Sequence, residues 1–119
     1  MFFGKSKPKI KKYVRGYKEI LKYLHENMMH KDVTVYVGYG CNDNVESQFS
    51  GQLGLAYSEI DNNGQGELEL VFFFDPQNLE MRLTVDNLGL MVPEDNENSC
   101  YISSYYLDER MQIYLEQKS

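Results

Sequence analysis

Apolar side chains recur along this chain with two different periods. Tyr13, Tyr17, Ile20, Leu21, Leu24 and Met28 return every three or four residues, with Lys18, Glu19 and Lys22 between them. That spacing predicts an amphipathic helix over residues 13–30. Gly16 weakens its first turn by about 1 kcal/mol relative to alanine. From residue 33 the period drops to two. Val33, Val35, Val37 and Tyr39 alternate with Thr34, Tyr36 and Gly38, a β-branched and aromatic pattern that predicts a strand.

The polar stretch Gly40 to Gly51 reads as a loop. After it, Leu53, Leu55 and Tyr57 define one face of a second strand. The segment Asp61-Asn-Asn-Gly-Gln-Gly66 has hairpin-turn chemistry. In the third strand, Leu68, Leu70, Phe72 and Phe74 share one face. Asp75-Pro76-Gln77-Asn78 is a turn, and Met81, Leu83 and Val85 then mark a fourth strand. Pro93 to Ser99 is an acidic loop, Cys100 to Ile102 a short edge strand, and Leu107, Met111, Tyr114 and Leu115 predict a final helix capped by Ser103 or Ser104.

These elements predict an α+β fold: an antiparallel meander of four or five strands, the N-terminal helix packed on one face, and a short C-terminal helix. A chain of 119 residues fits one domain, 1–119, with residues 1–12 as a basic, flexible leader. Hydrophobic residues at 42% and charged residues at 25% agree with a folded body rather than a disordered one. The longest apolar run, Leu70 to Phe74, cannot span a bilayer, and no signal-peptide pattern follows Met1, so a cytoplasmic protein is expected. Two cysteines, Cys41 and Cys100, are then expected as free thiols.

Motifs for chemistry are weak. Asp61-x-Asn63-x-Gln65-Gly66 starts like a helix-loop-helix calcium site, but Phe72 occupies the twelfth position, where a bidentate glutamate is required. His25 and His30 lie five apart, whereas residues that meet on a helix are three or four apart; solvated or capping roles are expected for both. Cys41 has no local motif that would make it a nucleophile. Gly38, Gly40, Gly51 and Gly54 lack the lysine and hydroxyl ending of a phosphate loop. No catalytic residue, metal or cofactor is expected.

Charge by position changes the picture most. Residues 1–31 hold nine of the twelve Lys and Arg against Glu19 and Glu26, a local net of +7, while the remainder holds three bases and sixteen acids, a net of −13. Glu59, Glu67, Glu69 and Asp86 are candidates for one sheet-face patch, bordered by Asp43, Glu46, Asp61 and the loop acids Glu94, Asp95 and Glu97. Among ten tyrosines, Tyr36 and Tyr101 are the candidate contact residues, with Tyr105 and Tyr106 close by. The expectation is a non-enzymatic acidic binding protein, as monomer or homodimer, of the immunity or inhibitor kind. Its partner would be a basic toxin or nuclease, drawn in by charge. Alternatives in the same vein are a DNA-mimicking anti-defence protein of a phage and a small secretion chaperone. A different class, nucleic-acid binding, would use the basic leader.

Overall fold

The computed structural model describes residues 9–39, 47–60, 68–76, 78–84, 88–104 and 111–118. Within them the chain forms one helix and eight strands: β1 (Ile10–Arg15), α1 (Tyr17–Asn27), β2 (Asp32–Tyr39), β3 (Ser47–Ile60), β4 (Leu68–Asp75), β5 (Leu79–Thr84), β6 (Leu88–Pro93), β7 (Ser99–Ser104) and β8 (Met111–Gln117). All pairings are antiparallel, and the strands follow the order β1-β6-β7-β8-β2-β3-β4-β5 in a single curled sheet. Two meanders, β2 to β5 and β6 to β8, therefore join along a seam between β8 and β2. β1 closes the far side against β6.

The inner face of the sheet wraps α1. Ile20, Leu24 and Met28 of the helix stripe are fully buried, in one cluster with Leu70, Phe72 and Phe74 of β4 and with Leu90, Ile102, Ile113 and Leu115 from the second meander. The helix pattern thus finds its partner, because a sheet with one apolar face must cover it. His25 ties the two layers together by donating from Nε2 to the Ala56 carbonyl at 3.0 Å. His30, with φ 64, closes the helix end, its N–H donating to the Leu53 carbonyl at 2.7 Å.

The α+β meander with two helices is overturned. Where a C-terminal helix was expected, Met111–Gln117 is strand β8, set between β7 and β2. Met111, Tyr114 and Leu115 fit helical spacing, but Ile113 and Leu115 fit a period of two, and the backbone pairs on both sides as a strand. Cys100 to Ile102 belongs to an interior strand rather than an edge.

The N-terminal reading also shifts. Residues 10–12 are part of β1, not a free leader, and the helix starts at Tyr17. Gly16 is its N-cap, with φ 86, a backbone conformation that costs glycine little and other residues more. Tyr13 therefore stands on a strand, 52% exposed.

β3 begins at Ser47, inside the expected loop, and its register with β4 shifts between Leu53 and Leu55. The shift turns the following residues over. Leu53 and Ala56 face the core, whereas Tyr57 stacks on Phe73 on the opposite face, so Leu53 and Tyr57 do not share a side as alternation alone predicts. The hairpin turn 61–66 and the turn residue Gln77 lie outside the described residues.

Candidate protein-binding surface

On the outer face of the sheet, register rather than sequence proximity brings the aromatic residues together. Val14 of β1, Leu90 and Val92 of β6, Cys100 and Ile102 of β7, Ile113 and Leu115 of β8, and Val35 and Val37 of β2 all belong to the core cluster. Because side chains alternate along a strand, the residues between them point outward. Those residues are Tyr13, Met91, Tyr101, Tyr114 and Tyr36. Their pairings run Tyr13 to Met91, Met91 to Tyr101, Tyr101 to Tyr114 and Tyr114 to Tyr36, so the five form one row across five neighbouring strands.

The row is packed at its centre and open at its ends. Tyr101 and Tyr114 stack at 4.5 Å between ring centroids, and Tyr36 lies against Tyr114 at 5.7 Å. Both inner tyrosines are 8% exposed, Tyr36 and Met91 are half-buried, and Tyr13 is largely in solvent. Directly opposite aromatic pairs of this kind hold a sheet together and leave a stiff, amphipathic surface.

Acids border one side of the row. The Tyr114 hydroxyl donates to Glu116 Oε2 at 3.2 Å, and Asn96 Nδ2 donates to the same oxygen at 3.1 Å. Asn96 sits in the turn between β6 and β7, which also carries Glu94, Asp95 and Glu97, all exposed. Glu97 is ion-paired with Lys11 of β1. Comparison with protein-family models, with curated proteins and with solved structures finds no match. The surface must be read from its own chemistry.

Of the expected patch, Glu59 and Glu69 do meet, as register partners on β3 and β4. They share Arg82 of β5, whose Nη1 lies 3.0 Å from Glu59 and 3.3 Å from Glu69, while its Nε donates to Glu80 at 3.1 Å. Its hydrogen bonds to Glu80, foremost, and to Glu59 raise the pKa of the guanidinium further, against desolvation, which lowers it. Much of the patch's charge is therefore answered within the fold. Tyr36 and Tyr101 are brought together, though only through Tyr114, which the helical reading of the C-terminus hid. Asp43, Glu46, Asp61, Glu67, Asp86, Tyr105, Tyr106 and Cys41 lie outside the described residues. Cys100 is a free thiol buried in the core, and burial alone pushes its pKa up.

Burial also raises the tyrosine phenols. Tyr114 is pushed up to about 12 by desolvation, with Glu116 and Tyr101 adding to it and a hydrogen bond with Ser99 opposing it. Tyr23 of α1 reaches about 12 by burial, helped by Cys100 and Glu97, and Tyr101 is raised by burial and then by Asp95 and Glu116. An unfolded tyrosine ionises near pH 10, so above that point the unfolded chain releases protons that the folded one keeps. Stability is accordingly complete below about pH 10 and falls as pH rises towards 12. Urea unfolding across that window should show the decline, and Tyr114→Phe should make it shallower; an unchanged slope would place the shift elsewhere.

Proposed function

We propose that this chain is a non-enzymatic binding protein that recognises a basic protein through the outer face of its sheet, in the manner of an immunity or inhibitor protein for a basic toxin or nuclease. The row Tyr13-Met91-Tyr101-Tyr114-Tyr36 carries the reading. Interface anchors are enriched in tyrosine because a rigid ring contributes large contact area while its hydroxyl tolerates water. Here the rings are already locked by stacking, so little side-chain freedom remains to be lost on binding. Glu94, Asp95 and Glu116 beside the row, within a chain of net charge −6, supply the sign that favours a cationic partner and speeds its approach. A cytoplasmic site of action is part of the same proposal.

Nucleic-acid binding by the N-terminal arm is less well supported. Lys11 is engaged by Glu97, and Lys12 lies over the ring of Tyr23 at 5.5 Å. The test is calorimetric titration of the full chain against basic toxins or nucleases encoded beside it. Tyr36→Ala should weaken such a complex roughly 30-fold, the loss of one anchor side chain, and Asp95→Lys should slow association. Binding that neither change affects, or that appears only with nucleic acid and vanishes as salt rises, would refute the reading.

A further inference from the structure

Two strands, β1 and β5, keep one long edge without a neighbour among the described residues. Open edges invite pairing with another chain, and natural sheets block them with lysines, prolines or bulges. β1 is blocked in this way: Lys11, Lys12 and Arg15 are exposed along it, and its pairing with β6 is irregular between Ile10 and Lys12. β5 lacks such protection. It reads Leu79-Glu80-Met81-Arg82-Leu83-Thr84, with no lysine or proline, and Leu79 is a large apolar residue 39% exposed.

The sequence of β5 is also complementary to its own reverse. About Met81, leucine at 79 matches leucine at 83, and glutamate at 80 matches arginine at 82. Glu80 and Arg82 share the outer face, where they already contact one another. Among the described residues, three carboxylates there, Glu59, Glu69 and Glu80, pair with this one guanidinium. A second guanidinium beside Glu80 would be favourable, and an antiparallel second copy of β5 brings one.

We propose that two copies of this chain associate edge to edge through β5, antiparallel about a two-fold axis at Met81. Each Glu80 then faces Arg82 of the second copy, each Leu79 faces Leu83 of the second copy, and the two sheets become continuous. Pairing of identical surfaces about such an axis closes after two copies and does not propagate. The tyrosine row, which ends at β2, stays open in both copies, so this association is independent of the binding function proposed above.

Sedimentation equilibrium of the full chain from micromolar to about millimolar concentration tests it. A monomer–dimer equilibrium is expected. Glu80→Arg should weaken it at least about tenfold, because two attractive cross-strand pairs become two repulsive ones. Mixing that variant with Arg82→Glu should restore a dimer of one copy of each. Should Arg82→Glu fail to fold beside Glu59 and Glu69, Met81→Cys in a Cys41→Ser background should oxidise to a covalent dimer, since the axis sets both copies of residue 81 face to face. A wild-type chain that stays monomeric at the highest concentration overturns the proposal, as does a dimer indifferent to Glu80→Arg.

Discussion

Truncating Phe72 to alanine should cost about 3 to 5 kcal/mol, the range for removing a buried aromatic ring and leaving a cavity. The ring is fully buried on the inner face of β4, with Ala56 and Met81 as its register partners on either side. Ala56 is too small to fill the space, and Met81 comes from β5, which is an edge strand among the described residues. The loss is large against the 5 to 15 kcal/mol that typically holds a domain of this size. Denaturant unfolding should show a midpoint shifted far down with an unchanged slope. Phe73→Ala is the control. That residue is half-buried on the outer face against Tyr57, so its truncation should cost clearly less. Equal losses would mean that the inner and outer layers do not differ as described.

Phe72 was legible in the sequence because Leu68, Leu70, Phe72 and Phe74 keep a period of two on one face of β4, through the apolar run Leu70 to Phe74, beside a helix whose stripe is equally clear. Elsewhere two patterns competed. Seven residues are too few to separate a helical from a strand period at Met111–Gln117, where Met111, Tyr114 and Leu115 satisfy one and Ile113 and Leu115 the other. Sheet pairing on both sides decided between them, and that pairing is long-range. β1 was concealed for a different reason. An edge strand tolerates lysines, which protect it, so Lys11 and Lys12 resemble a solvated tail until β6 lies alongside. The pattern alone assigns nothing to residues 88–92 and puts Pro93 in the following loop, since Gly89 and Pro93 are weak strand signals that the paired neighbours override.

The candidate surface was only partly legible for related reasons. Composition pointed to tyrosines as contact residues, and Tyr36 was placed on the less apolar side of its strand from alternation alone. No local signal, however, tells that residues 13, 36, 91, 101 and 114 share a row. Once 111–117 is taken as a strand, the outward position of Tyr114 between Ile113 and Leu115 follows at once. The acid patch illustrates the opposite error. Glu59 and Glu69 were correctly grouped, but their cation, Arg82, comes from the next strand and removes much of the free charge that the grouping implied.

Tyr114→Ala should destabilise the fold by about 3 to 5 kcal/mol, although the residue lies outside the main core. Its ring stands between Tyr101 on β7 and Tyr36 on β2, and its strand is the seam at which the two meanders join. No short turn connects β8 to β2, so the seam depends on ladder hydrogen bonds and on what packs across it. Ile113 and Leu115 hold the inner side, and Tyr114 holds the outer one. Tyr114→Phe separates the two parts of the effect. It keeps both ring contacts and removes the hydroxyl's hydrogen bonds with Glu116 and Ser99, so a loss of about 1 to 2 kcal/mol is expected. Hydrogen exchange gives the local readout: the alanine variant should lose protection first at amides shared by β8 and β2, before those of β4. A uniform loss across the sheet, or an alanine variant no worse than the phenylalanine one, would show that the outer row does not hold the seam.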